Sequence, residues 1–208
     1  FFDRRNLKWV EPTLMKAFID TAKVPLSEDV ELFEHALLET YNKSEIIIDK
    51  GNEEMIPISS KLLIDKMQFG WNLGNTFDAY NSSQNQGVKS EIFWGNPKTT
   101  EQMIIEIVSK GFKAIRIPVT WHNHLIDKKY TICPDWMLRV KTVVDWSIKH
   151  GLYVILNTHH DNADYVEKSS IKYGTGYYPL KKDMIESEKF LYNIWKQIAT
   201  AFNDGYDE

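Results

Sequence analysis

The sequence predicts an α/β fold with a parallel sheet over residues 60–208, preceded by a mostly helical segment over residues 1–59. Two observations support this class. Short apolar runs alternate three times with amphipathic helical patterns, an order typical of right-handed crossovers between parallel strands. Polar residues also follow each apolar run, and α/β proteins bind ligands at the carboxyl ends of their parallel strands.

The first predicted strand, Lys66–Asn72, runs into the polar decapeptide Gly70–Ala79. The next helix is predicted over Thr100–Lys110, because its apolar residues recur at helical spacing and a threonine at its start offers an N-cap hydroxyl. Gly111 closes this helix, as a glycine at a helix C-terminus commonly does. Together these segments form the first strand–helix unit.

The second and third units repeat the same order. Their strands are predicted over Phe112–Ile117 and Leu152–Asn157, and their helices over Asp135–His150 and Ser187–Phe202. The last strand is nearly all apolar, so we expect both of its faces to be buried.

The first 59 residues differ from the rest. Thr13–Lys23 and Ser27–Tyr41 are predicted to form amphipathic helices separated by Pro25, and Glu45–Lys50 a short extended piece. This segment contains no chemistry that points to a site. We therefore expect a helical extension of unassigned role.

Composition excludes several classes of function. The net charge is -4, and the basic residues are scattered, which argues against nucleic acid binding. No apolar run reaches the roughly 18 residues of a membrane span, and no secretory leader pattern is visible. Cys133 is the single cysteine, so we expect a structural thiol and no intrachain disulfide. The aromatic fraction of 13% fits either a heavy aromatic core or stacking platforms for a ligand.

Three polar clusters follow the strands. Gly70–Ala79 combines glycine, asparagine and tryptophan, which suits either a ligand-binding rim or a tight turn. Arg116 lies in an apolar strand, so we expect an anionic partner, either a site carboxylate or a core acid. The third strand is followed by His159, His160 and Asp161. We expect these clusters to meet at one edge of the sheet.

The histidine spacing does not favour a catalytic metal. His159 and His160 are expected to point to opposite sides of an extended backbone, whereas His122 and His124 share a face. No glutamate or cysteine falls at a familiar zinc spacing, and no glycine-rich phosphate loop follows the first strand. We expect neither a metal nor another cofactor.

These segments together resemble glycoside hydrolase family five, most closely its bacterial endoglucanases. The matching stretches, in chain order, are Gly70–Thr76, Trp94–Pro97, Phe112–Trp121, Leu152–Asp161 and Gly176–Pro179. The resemblance covers residues 60–208. It implies a (β/α)8 TIM barrel that hydrolyses β-1,4-glucan with retention, using one glutamate as acid/base and another as nucleophile.

The resemblance also implies roles for individual residues. Arg116 would hydrogen-bond the nucleophilic carboxylate, and His159 would lie beside the reacting sugar. Substrate contacts are implied for five side chains: Asn75, Trp94, His159, His160 and Tyr178.

The chain departs from the family after its third unit. The family's acid/base glutamate, at the end of the fourth strand, and its nucleophile, on the seventh, have no counterpart here, and a complete barrel takes about 250 residues. We therefore expect only the first three βα units and no activity from this chain alone. Open sheet edges predict self-association or pairing with the missing half of the barrel.

Two alternatives to a cellulase remain open. One is a non-catalytic glucan-binding or assembly module, and the other is a mannanase or xyloglucanase of the same family. For all of them the resemblance implies a β-glucan-like polysaccharide partner and secretion, since such polymers lie outside the cell.

Overall fold

The computed structural model describes residues 2–3, 8–9, 58–81, 87–161 and 184–202. Its elements, in chain order, are β1 (Phe2–Asp3), β2 (Lys8–Trp9), α1 (Ser60–Met67), β3 (Gly70–Asn72), α2 (Glu101–Ser109), β4 (Ala114–Val119), α3 (Pro134–Lys149), β5 (Tyr153–Thr158) and α4 (Met184–Phe202). Two short 3-10 helices, Gly87–Ile92 and His122–His124, lie in the connections. The predicted alternation of strands and helices is confirmed.

The sheet is parallel, as predicted. β3, β4 and β5 lie side by side in that order, with Asn72 paired to Arg116 and Arg116 paired to Ile155. Parallel strands bring their carboxyl ends to one edge, so the three polar clusters share that edge. β1 and β2 form a separate antiparallel pair.

The first strand is shorter than predicted. Ser59 caps α1 by accepting a hydrogen bond from the Leu62 amide at 3.2 Å, and α1 continues through Lys66 and Met67. The predicted strand start at Lys66 is therefore wrong. Gln68, with φ of 49°, turns the chain out of the helix before β3 begins.

The later boundaries differ from prediction by a few residues. β4 begins at Ala114 rather than Phe112, and β5 at Tyr153 rather than Leu152, because the ladder starts where Gly70 pairs with Ala114. The Thr100 hydroxyl caps α2 by accepting a hydrogen bond from the Met103 amide at 3.3 Å. This confirms the predicted threonine cap and assigns it to Thr100.

One face of the sheet packs on the helices. Ile115, Ile117 and Val119 of β4 are each 0% exposed and belong to the main hydrophobic core. The alternate residues, Arg116 among them, face the other side of the sheet because strand side chains alternate.

The third strand is not buried on both faces, so that prediction is wrong. Val154 and Leu156 pack against the core, but Ile155 on the opposite face is 44% exposed. The reason is that Ile155 pairs with Arg116 and shares its face of the sheet, opposite the face that packs on the core helices.

The N-terminal predictions over 13–23, 27–41 and 45–50 lie outside the described residues. Cys133 immediately precedes α3 and packs partly against the core as a free thiol. Within the described ranges, the helices are too short or too polar to cross a membrane.

Candidate active site

Arg116, the third residue of β4, reaches with its side chain toward the ends of β3 and β5. Its guanidinium donates to Asn72 Oδ1 at 2.7 Å and approaches His159 Nδ1 at 3.3 Å. Arginine has no acceptor, so His159 Nδ1 accepts this bond and the ring proton lies on Nε2. β3, β4 and the residue after β5 thus supply one side chain each.

The partners of Arg116 differ from the expectation. We predicted an anion, but among the described residues its hydrogen bonds reach one amide oxygen and one neutral imidazole nitrogen. The alternative of a core acid as partner is not found there either. The half-buried guanidinium therefore keeps donor capacity for a carboxylate from elsewhere.

His159 and His160 lie together, against the prediction that they diverge. Their ring centroids are 4.3 Å apart in an edge contact. The prediction is wrong because β5 ends at Thr158, so the two residues no longer follow an extended backbone. Burial, with a smaller effect from His159, lowers the pKa of His160 and favours its neutral form.

Trp94 and Tyr80 extend this cluster outward. The Trp94 ring is 5.4 Å from His160 and 5.8 Å from Tyr80, and its indole Nε1 donates to the Tyr80 carbonyl at 2.9 Å. Trp94 is 41% exposed, so it keeps open aromatic surface beside the histidines. The structure thus brings the predicted residues Trp94, His160 and His159 into one cluster, which His159 joins to Arg116.

Asn75 lies on the adjoining loop. It is exposed, its φ is 55°, and its carbonyl accepts a hydrogen bond from Asn96 Nδ2 at 2.8 Å. The same amide also donates to the Gly74 carbonyl at 3.2 Å. Asn96 therefore joins the loop after β3 to the loop that carries Trp94. Tyr178, the remaining predicted contact, lies outside the described residues.

One group of side chains approaches a metal-binding arrangement. Ligand atoms of Asp78, His159 and His160 lie within 4.8 Å of one another, with His160 Nε2 4.0 Å from Asp78 Oδ2. Arg116 donates to His159, and a fixed positive charge beside this group opposes a bound cation. Asp78 also accepts the Thr76 amide at 2.8 Å and so caps the loop after β3.

His122 and His124 do not share a face, which corrects that prediction. His122 Nδ1 lies 3.1 Å from Asp161 Oδ1, whereas His124 stacks on Trp136 and contacts Ser90. The reason is that they lie in a 3-10 helix, where residues two apart point in different directions.

Asp161 and Asn157 fix the loops at the same edge. Asp161 is 0% exposed, and one carboxylate oxygen accepts the Trp121 amide at 2.8 Å and the His122 amide at 2.7 Å. The Asn157 carbonyl accepts the Trp121 indole N–H at 3.2 Å. These two predicted polar residues therefore support the loop after β4.

Sequence reasoning missed a buried ion pair behind the cluster. Glu91 and Arg139 form a two-pronged salt bridge, with Arg139 Nε 2.8 Å from Glu91 Oε2 and one terminal nitrogen 2.9 Å from Oε1. A signal was present, because Arg139 falls among the inner-face residues of α3, where a charge is unexpected.

Comparison with known proteins extends this description. The model of the cellulase family, glycosyl hydrolase family 5, matches residues 74–208. Endoglucanase B of Ruminococcus albus is 46% identical over 159 residues, which is 76% of this chain and 34% of that protein. The chain thus spans about a third of the length of this relative.

Solved structures of family 5 enzymes are also similar to this chain. A family 5 enzyme from Prevotella bryantii in complex with a xyloglucan tetradecasaccharide superposes with a TM-score of 0.64 at 34% identity, covering 72% of this chain and 41% of that one. A family 5 lichenase from Caldicellulosiruptor, in complex with cellotetraose, gives 0.62 at 36% identity, covering 78% and 40%. The predicted fold class is confirmed, with the three-stranded parallel sheet matching the first βα units of a (β/α)8 barrel. The chain belongs to glycosyl hydrolase family 5.

Proposed function

We propose that residues 60–208 are the N-terminal part of the catalytic barrel of an endo-β-1,4-glucanase, and that residues 1–59 are an extension of it. The observation that carries this proposal is the setting of Arg116. Its guanidinium is held at the sheet edge by Asn72 and His159, and neither partner neutralises its charge. The similarity of the chain to endoglucanases supports a role for Arg116 in glucan hydrolysis.

In this proposal Arg116 binds the nucleophilic carboxylate. Retaining glycosidases use two carboxyl groups about 5 Å apart, and the nucleophile must be ionised to attack the sugar. A guanidinium in contact with a carboxylate lowers the pKa of that carboxyl. Both glutamates would come from barrel strands beyond the three units in this chain, so the 208 residues alone would be inactive.

The other predicted residues would bind the glucan. His159 carries its ring proton on Nε2, where it would donate to a sugar hydroxyl. His160 is held neutral beside it, and the exposed ring of Trp94 would stack on a pyranose face. Asn75 would supply a polar contact from the adjoining loop, and Tyr178 is proposed as a further contact.

Three further proposals follow from the family. The substrate polymer cannot enter a cell, so the protein would be secreted. The sheet would pair with the rest of its own barrel, because β5 is an edge strand of the described sheet and its Ile155 side chain is exposed. Self-association of the isolated chain would cover the same strand. Xyloglucan is a second candidate substrate, favoured by the relative solved with a xyloglucan tetradecasaccharide.

A hybrid polypeptide tests the proposal. In it, residues 1–208 are followed by the remaining barrel of endoglucanase B from Ruminococcus albus. It should cleave carboxymethylcellulose and mixed-linkage β-glucan faster than β-mannan, and proton NMR should show the β-anomer as the first product. Inversion of the anomer, or a preference for mannan, would refute the assignment.

A further inference from the structure

The loop that carries Trp94 is closed by a side chain at its base. Glu91 precedes the loop and Thr99 follows it, and the Thr99 amide donates to Glu91 Oε1 at 2.7 Å. Glu91 is 0% exposed. The carboxylate thus ties the two ends of residues 92–98 together.

Arg139 fixes this closure to helix α3. Besides its two bonds to the Glu91 carboxylate, Arg139 donates to the Thr99 carbonyl at 2.6 Å. Both ends of the loop are therefore bound to one side chain of a core helix. The Arg139 guanidinium also lies 5.8 Å from the Phe77 ring and 5.4 Å from the Trp146 ring.

Hydrogen bonds hold the far end of the loop as well. Trp94 Nε1 donates to the Tyr80 carbonyl, and Asn96 Nδ2 donates to the carbonyls of Gly74 and Asn75. These bonds set the Trp94 ring beside His160, with 5.4 Å between ring centroids. The loop is thus fixed at both its base and its tip.

The base of this loop is closed by a buried ion pair and not by apolar side chains. Well-packed apolar residues in place of such a pair often give equal or greater stability. Apolar side chains, however, would neither accept the Thr99 amide nor donate to its carbonyl. The pair therefore provides something besides stability, namely the geometry of the loop.

We propose that Glu91 and Arg139 are positioning residues that hold the Trp94 platform against His160 for the glucan chain. Binding of glucan by the Trp94 platform rests on the proposed function. The positioning itself does not, because it concerns contacts within the chain.

The test measures the Trp94 platform directly. Hydrogen exchange of its indole N–H is followed by NMR in the full chain, with the signal assigned by comparison with Trp94→Phe. Glu91→Gln should speed this exchange by about tenfold or more, since a charge-assisted hydrogen bond is lost. Asp145→Asn, which removes an exposed ion pair on α3, the helix that carries Arg139, is the matched control and should leave the exchange unchanged.

A double variant separates positioning from stability. Glu91→Leu combined with Arg139→Met removes both charges, so urea unfolding should return toward the wild-type midpoint. Trp94 exchange should nevertheless stay about tenfold faster than in the wild type. If the double variant regains slow exchange of the Trp94 indole N–H together with wild-type stability, the proposal is wrong. Unchanged exchange in Glu91→Gln would also overturn it.

Cellotetraose titration of the hybrid polypeptide, with and without Glu91→Gln, adds the ligand. If the hybrid polypeptide binds, the Glu91→Gln variant should bind about tenfold more weakly, and equal affinity would overturn the platform role. If the hybrid polypeptide does not bind, the proposed function fails, while the exchange result still decides the positioning role.

Discussion

Acid should destabilise this protein through His124, a buried imidazole behind the site. His124 is 0% exposed, and its ring stacks on Trp136 with centroids 3.6 Å apart. Its Nε2 lies 3.0 Å from the hydroxyl of Ser90, which donates its own proton to the Gly87 carbonyl, so Nε2–H is the donor. Burial, aided by nearby His122, lowers the pKa of His124 from 6.5 to about 3.

The sign and size of the effect follow from this depressed pKa. Below pH 6.5 the unfolded chain takes up a proton at His124 that the folded chain refuses, so stability falls as the pH falls. The contribution is complete above that value and is lost progressively toward about pH 3. At about 1.4 kcal/mol per pH unit, the loss between pH 7 and pH 5 is about 2 kcal/mol.

Urea unfolding at pH 7 and pH 5 measures this loss. His124→Phe keeps a ring against Trp136 and removes the titrating group, so it should lose about 2 kcal/mol less than the wild type over this interval. The lowered pKa of His160 acts in the same sense but is common to both proteins. Ile107→Val, a buried substitution without charge, should keep the wild-type pH dependence. Equal losses in His124→Phe and the wild type would show that His124 does not cause the loss of stability in acid.

Three further substitutions probe the scaffold and the site. Thr100→Ala removes the α2 cap and should lower the free energy of unfolding by about 1 kcal/mol in urea, while Thr100→Ser should not. Ile117→Ala opens a cavity beneath β4 and should cost about 2–5 kcal/mol in the same assay. In the hybrid polypeptide, Arg116→Ala should lower kcat while leaving KM nearly unchanged, and should move the acid limb of the pH–rate profile up by about 1–3 pH units. Normal turnover in that variant would contradict its role.

The sequence predicted the sheet and much of the cluster because both depend on local patterns. Strand-length apolar runs separated by amphipathic helices leave few topologies, and right-handed crossovers then bring the strand ends together. Arg116 and His159 could be named in advance because each lies within or shortly after a predicted strand, whereas Trp94 could be named only through the family resemblance. Their convergence around one edge follows from the parallel order.

The sequence could not predict the local backbone turns or the contacts between residues that are far apart in the chain. The apolar residues around Lys66 suit either a strand or a helix end, so the pattern alone does not distinguish them. The Ser59 cap favours the helix that the structure shows. His122 and His124 separate because a 3-10 turn replaces an extended backbone. Glu91 and Arg139 are 48 positions apart, so no local spacing reveals their contact.

Reducing-sugar release from carboxymethylcellulose shows whether the catalytic glutamates lie outside these 208 residues. The 208-residue chain and the hybrid polypeptide are assayed at equal molar concentration, after both are shown to be folded by their near-ultraviolet circular dichroism. We expect release by the hybrid polypeptide alone, because the two catalytic glutamates would come from its added strands. Release by the 208-residue chain at a comparable rate would contradict it, since a catalytic carboxylate pair would then lie within these residues.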